Sequence, residues 1–418
     1  MLETLKNTWK IPETRKRIIF TIVMLLIYRA GSFIPVPYID KAQLATIVKG
    51  NGMFGLMDIV SGGNFSNFTI FAMSITPYIN ASIIMNLLTM VIPSLQRLQQ
   101  SGEDGRRKIT QYVRYLTMGL ALVQALGLVI GYRNLLVPNT LLTKTIVGLT
   151  ITAGTALLMW MGEEITEKGI GNGISLIIFA SIVSRIPAMF VTTYEYLQNG
   201  TISVVMLIGA VIFVVAAIVA IVAVTEGQRK VPVQYAKRVV GRKMYGGRNT
   251  SIPLRMNQAG VIPIIFASSL TMFPSILASF FPNSRFFVWM AEAFKWGGAT
   301  STVTYILFII LFTFFYTSAV FNPHDVANNL KKYGGFIPGI RPGAPTADYI
   351  KRAMNRLTMA GGLFLAVIAT LPIFLGNAMG VNLQFSGTSL LIVVGVALDT
   401  VKQLEQQLLM RNYSGFLK

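Results

Sequence analysis

The residues able to do chemistry are few, and their spacing supports little of it. One histidine, His324, lies in the polar stretch FNPHDVANN, and there is no cysteine. A single histidine in a polar loop is more often solvated than liganded, and without thiols neither a disulfide nor a thiolate metal site forms. The densest carboxylates, Glu163, Glu164 and Glu167, run into the glycine-rich EKGIGNGIS. Such glycines could cradle a phosphate, but the glutamates would repel it and the lysine-bearing phosphate-loop motif is absent. A tight turn feeding the next helix is the better reading. Asp399 stands alone near the end of an apolar run. Ion-coupled transport draws on ionisable groups inside the membrane, and hydrolysis or metal catalysis needs paired carboxylates or a histidine cluster. The sequence offers neither set, so the chain reads as a non-enzymatic conduit driven from outside, and no cofactor is expected.

The elements that position these residues are membrane spans. Of 418 residues, 53% are apolar and 12% charged, with a mean hydropathy of +0.60, which places the chain among integral membrane proteins. Apolar runs approaching the ~20 residues needed to cross the hydrocarbon core lie at about 17–36, 73–92, 113–132, 146–162, 174–193, 203–224, 258–281, 302–321, 357–375 and 387–401. A β-barrel would show short alternating segments instead. The first run follows basic residues, as a secretory signal does, but no small-residue cleavage pattern closes it, and it is expected to stay as a span.

Charge orients these runs. With the N-terminus cytoplasmic, 27 of the 36 Lys and Arg fall on cytoplasmic segments and 6 on the other side, with Arg29, Arg114 and Arg185 at span edges. That asymmetry follows the positive-inside rule, so both termini are expected in the cytoplasm. Ten spans divide as five and five, and an odd number per half makes the second half insert upside down. Inverted repeats meet around a path near the midplane. The expected fold is an all-α polytopic membrane protein: ten transmembrane helices in two inverted five-helix halves, residues 1–200 and 201–418, around a central pore.

One segment and two loops stand out. SGGNFSNFTIFAMSITPYINASIIMNLLTMVIP, Ser61 to Pro93, starts like a span, yet Gly62, Gly63, Asn64 and Asn67 make its first half polar, and Pro77 interrupts the apolar run. Irregular backbone at membrane depth survives only where it is buried in protein or lines an aqueous cavity. The cytoplasmic loop at about 226–256 holds eight Lys or Arg, with β-favouring runs around GGRN that predict a protruding hairpin. Topology alone asks for some positive charge, but eight exceed that need. Arg229, Lys230, Arg242 and Lys243 suit an acidic partner such as ribosomal RNA, an acidic protein face or anionic headgroups. In the loop at about 322–356, IPGIRPG holds Arg341 between prolines and glycines, with helical pattern on both sides. A guanidinium presented that stiffly reads as a docking point for one carboxylate or carbonyl cluster.

The stretches PYINASIIMNLLT, GEDGRRKITQYVRY, EKGIGNGIS, NQAGVIPIIFASS, VFNPHDVANNLKKYGGFIPGIRPG and GTSLLIVVGVALDT resemble, in order, the signatures of the bacterial SecY family, the main subunits of the protein-conducting channel. The resemblance runs from the first span to the last; the departures lie in the outer loops around 133–145 and 281–300 and in the short tail. It implies two halves closing like a clamshell around an hourglass pore, a short plug helix at about 58–71 half-inserted from outside, and the second part of span two at 75–92. In that frame Gly62, Gly63, Asn64 and Asn67 keep the plug too polar to stay in lipid.

The family's pore ring falls on Ile75, Ile79, Ile174, Ile178, Ile265 and Ile392. An isoleucine in a span ordinarily packs or faces lipid, but Ile75 with Ile79, and Ile174 with Ile178, are i,i+4 pairs that share a helix face. Such a ring seals by excluding water. The lateral gate, between spans two and three and spans seven and eight, takes in Asn86, Thr89, Asn257 and Gln258, whose ordinary role is helix–helix hydrogen bonding worth under ~1 kcal/mol. The resemblance further implies that unfolded secretory chains cross the cytoplasmic membrane and that hydrophobic helices leave sideways into lipid. The partners it implies are SecE-type and SecG-type small subunits, the SecA motor ATPase, the ribosome, signal peptides with nascent or presecretory chains, and membrane lipids, anionic ones included. A secondary transporter of a small solute is the alternative, favoured by inverted repeats and disfavoured by the uncharged span interiors.

Overall fold

The computed structural model describes residues 11–40, 58, 61–131, 136–200, 202–235, 238–240, 243–245, 249–280, 284–294, 298–379 and 387–415. Helix α1 (Pro12–Gly31) is followed by α2 (Thr76–Val91), α3 (Pro93–Gln100), α4 (Glu103–Gly131), α5 (Leu141–Lys168), α6 (Gly173–Val183), α7 (Ile186–Gln198) and α8 (Val204–Glu226). Strands β1 (Gln228–Tyr235), β2 (Arg238–Val240), β3 (Lys243–Tyr245) and β4 (Asn249–Arg255) come next. The chain continues through α9 (Ile262–Phe280), α10 (Arg285–Ala293), α11 (Ala299–Val320), α12 (Pro323–Lys332), β5 (Gly335–Phe336), α13 (Ala344–Met379) and α14 (Gly387–Gly415).

Local chemistry sets the helix starts. Proline occupies one of the first two positions of α1, α2, α3, α7 and α12, where its missing N–H costs no hydrogen bond. Pro77, an interruption by hydropathy, is thus the start of α2. Thr140, Asn172, Ser203 and Asn322 cap α5, α6, α8 and α12, each accepting from a backbone N–H two or three residues on.

Each of the ten expected spans meets a helix. Among the described residues, seven are long and apolar enough to cross a membrane, or eight if α2 and α3 count as one across their 102° bend. The seven are α4, α5, α6 continued by α7, α8, α11 continued by α12, α13 and α14. The shortfall has local causes. Helix α1 opens on Glu13, Arg15, Lys16 and Arg17, and α2 has only 16 residues because the chain before it is folded into turns, whereas α9 carries no charged residue over its 19.

The helices pack in a circuit. Helix α2 packs on α4, α4 on α5, α5 on α6, α6 on α14, α14 on α13, α13 on α11 and α11 on α9, and α9 returns to α2 and α4. Two seams, α6–α14 and α2/α4–α9, therefore join the elements before residue 200 to those after it.

Outside the bundle, the hairpin expected in the first basic loop is part of a larger unit. Strand β1 pairs antiparallel with β4, and β2 with β3. The opposite edge of β1 takes β5, from the second basic loop, at Gln234–Phe336 and Tyr235–Gly335. Pro232 is tolerated in this central strand because β5 covers only the last two residues of β1. Alternation sends Val231 and Val233 inward, where they cluster with Leu254, Leu330, Ile350 and Met354. The two basic loops form one body with its own apolar core.

Candidate functional site, a plugged constriction

The plug helix expected over 58–71 is helical at Asp58 and Ser61, with 59 and 60 outside the described residues; 62–75 are turns apart from a bridge at Thr69. Glycine chemistry accounts for the change. Gly62 and Gly63 have φ of 71° and 90°, and a Cβ on Gly62 would come within 2.7 Å of the Ser181 carbonyl oxygen. Their role is thus conformational as well as polar. Phe68 and Ser74 carry side chains at positive φ, 43° and 52°, a strain of order ~1 kcal/mol or more each.

Buried polar contacts hold this segment down. Ser181 Oγ donates to the Ile177 carbonyl at 2.8 Å, which spends its one proton, so the Tyr28 hydroxyl donates to Ser181 Oγ at 2.6 Å. Tyr28 in turn accepts from Asn64 Nδ2 at 3.0 Å, and its ring stacks on Phe71 with centroids 5.6 Å apart. Arg29 reaches Ser184 Oγ at 3.3 Å and the Gly62 carbonyl at 3.5 Å. Asp58 is ion-paired with Arg185, and its Oδ1 accepts from the Ser66 N–H at 2.7 Å. Asn67 Nδ2 donates locally, to the Gly63 carbonyl at 3.0 Å.

Arg185 occupies the two-residue turn between α6 and α7, within the single span that the two helices make together. Reading the sequence misses this network, because Arg29 and Arg185 look like span-edge charges. The available signal is SRIPAM, where a cation and a proline interrupt an apolar run, together with Asp58 at the head of the plug.

The six isoleucines expected to form the ring lie in one apolar core. Ile75, Ile79, Ile178 and Ile392 are buried, Ile174 and Ile265 half-buried, and all six belong to one apolar cluster. Ile75 precedes the first turn of α2 with Ile79 one turn on, Ile174 and Ile178 are on α6, Ile265 is on α9, and Ile392 is on α14. Burial turns Ile75, Ile79, Ile178 and Ile392 away from lipid, while Ile174 and Ile265 keep partial exposure. The cluster also contains Phe71 and Tyr28, so residues of the turn-built segment and the six isoleucines share one core.

The polar seam residues separate. Thr89 is buried and donates to the Asn86 carbonyl at 2.8 Å within its own helix. Asn257 and Gln258 fall in the turn between β4 and α9 and not in the span itself, because Gly260 takes a positive φ of 64° and helix begins only at Ile262. Asn257 is buried, and its Oδ1 has no hydrogen-bond partner among the described residues.

Of the docking cations, Arg229 and Lys230 are exposed on β1, Lys243 opens β3, and Arg242 lies outside the described residues. Arg341 is exposed between Gly339 and Gly343, whose φ values are 81° and 103°, and its carbonyl accepts from Thr346 Oγ1 at 2.8 Å. The stiff turn expected from IPGIRPG is there.

The SecY family model matches residues 69–401, a stretch that takes in the ring, the seam and both basic loops. The protein translocase subunit SecY of Halalkalibacterium halodurans is 46% identical over 431 residues, covering 100% of both chains. Among solved structures, one described as the structure of a protein conducting channel is similar with a TM-score of 0.68 at 19% identity, covering 96% of each chain. Sec61 in the canine ribosome-channel complex from the endoplasmic reticulum is similar with a TM-score of 0.63 at 18% identity, again over 96% of each. At those identities the two structures speak for the fold, while the family model and the full-length relative speak for descent. The chain belongs to the SecY family.

Proposed function

We propose that the chain forms the channel of a protein translocase, through which unfolded secretory polypeptides cross the cytoplasmic membrane and hydrophobic helices leave sideways into lipid. The observation that carries this is one apolar core that takes in all six isoleucines, from four helices on both sides of the two seams, together with a turn-built segment tied down by polar contacts. An apolar ring seals by dewetting and accepts any side chain. A stopper held by hydrogen bonds and one ion pair can leave and return.

In this reading the halves 1–200 and 201–418 part at α2/α4–α9, the lateral gate, with Asn86 and Thr89 on one side and Asn257 and Gln258 on the other. Ten spans with both termini in the cytoplasm put the β1–β5 unit there, where Arg229, Lys230, Arg242 and Lys243 meet the ribosome and Arg341 meets a SecA-type motor. The likeness to Sec61 in a ribosome-channel complex supports the ribosome contact. SecE-type and SecG-type subunits complete the assembly, signal peptides and presecretory chains are its cargo, and anionic lipids surround it.

Proteoliposomes test the proposal. With motor and ATP added, a full-length presecretory polypeptide becomes protease-protected; uptake of a small solute on an ion gradient, without polypeptide import, would favour the secondary transporter instead. The ring is tested in planar bilayers. Serine at Ile75, Ile178 and Ile392 together hydrates the constriction, so the resting pore leaks ions, and an unchanged single-channel conductance would remove the ring from the mechanism.

A further inference from the structure

The segment joining α9 to α11 carries a helix for which the channel reading has no use. Helix α10 has nine residues, RFFVWMAEA, and packs against α9. Phe287, Met290 and Ala291, with Phe294 just beyond, are half-buried and recur at helical spacing, so they form its inner face. The outer face is apolar as well: Phe286, Val288 and Trp289 are 62%, 45% and 65% exposed. Phe286 and Trp289 lie one turn apart with ring centroids separated by 6.5 Å. Exposed Arg285 and Glu292 flank the patch.

Water is a poor environment for that patch. The hydrocarbon core is a poor one for Arg285 and Glu292. The boundary between headgroups and acyl chains suits both, and it is where tryptophan concentrates in membrane proteins. Phe273, on the helix α9 against which α10 packs, is an exposed apolar side chain as well, 46% exposed.

We propose that α10 lies in the plane of the bilayer on the side opposite the β1–β5 unit, with Phe286, Val288 and Trp289 seated between phospholipid headgroups and acyl chains, tying the outer end of the seam helix α9 to the lipid surface. This rests on the ten-span reading above.

Depth-dependent fluorescence quenching tests it. Trp9, Trp160 and Trp296 are replaced by phenylalanine, leaving Trp289 as the only emitter, in phosphatidylcholine vesicles whose chains carry bromine either near the headgroup or near the terminal methyl. Trp289 should emit to the blue of a water-exposed indole and lose more intensity to the shallow bromines. Emission like that in water, unquenched by either lipid, overturns the proposal. So does quenching that vanishes when the small membrane subunits are co-reconstituted, since a protein face would then cover the patch. A companion protein carrying Trp289→Phe and Leu307→Trp places the emitter in mid-span on α11, where deep bromines should quench most. If no bromine quenches it, the span assignment has failed and the proposal falls with it; if it quenches and Trp289 does not, α10 alone has been misplaced.

Discussion

Replacing Arg185 with alanine is expected to give a channel that conducts ions with no substrate present. The change leaves Asp58, whose side chain is 4% exposed, as a buried carboxylate without its cation. Removing one partner of a buried ion pair costs about 3–5 kcal/mol. The lower end applies, because the Arg185 side chain keeps 21% of its exposure. The penalty falls on the plugged state alone, since a released Asp58 is solvated. About 3 kcal/mol lowers the plugged-to-unplugged ratio by about 100-fold.

The double variant Asp58→Asn with Arg185→Ala separates charge from shape. Asparagine keeps an oxygen for the Ser66 N–H and leaves no charge stranded, so most of the seal should return. Tyr28→Phe is expected to act more weakly, because it loses neutral hydrogen bonds worth about 1 kcal/mol each and keeps the stack on Phe71. Planar-bilayer conductance reads all three variants, and export of a reporter with a crippled signal peptide reads them in cells. If Arg185→Ala seals as tightly as the parent, the ion pair does not hold the plug.

The second large effect is expected at Val233. This residue is 1% exposed on β1, the strand that carries β4 on one edge and β5 on the other. An aspartate there is a buried charge with no partner, worth several kcal/mol of destabilisation, in a unit whose apolar core is separate from that of the bundle. Val233→Asp should therefore abolish both ribosome co-sedimentation and ATP-driven import while the protein still inserts in the membrane.

Single surface changes should divide what Val233→Asp removes together. Arg341→Glu should abolish import of a full-length secretory protein and leave ribosome binding nearly unchanged. Arg341→Lys should still impair import, because the charge is kept and the planar fork is lost. Arg229→Glu with Lys230→Glu should weaken ribosome binding and flatten its salt dependence. Retention of either activity by Val233→Asp would mean that the two loops work independently. Wild-type import by Arg341→Lys would reduce Arg341 to generic charge.

Much of this was legible in the residue order, because the relevant physics is local. Lipid leaves the backbone no partner but itself, so the apolar runs near span length had to become largely helix, and helix occupies most of each. Pro338 and Pro342 with Gly339 and Gly343 specify a stiff turn around Arg341 from short-range sterics alone. The i,i+4 isoleucine pairs mark a shared face without reference to the rest of the chain.

What the tertiary structure alone decided are the pairings between distant positions. Asp58 finds Arg185, and Tyr28 finds Asn64 and Ser181, across separations of 36 to 153 residues. Strand β5 joins β1 from a different loop. Gly62 is required by the Ser181 carbonyl that packs over it, and the start of α9 is delayed past Asn257 by the turn at Gly260. Hydropathy marks these groups as polar or small and stops there. A buried polar group must be satisfied, but which partner satisfies it depends on which helices meet, and periodicity along one helix carries no record of its neighbour.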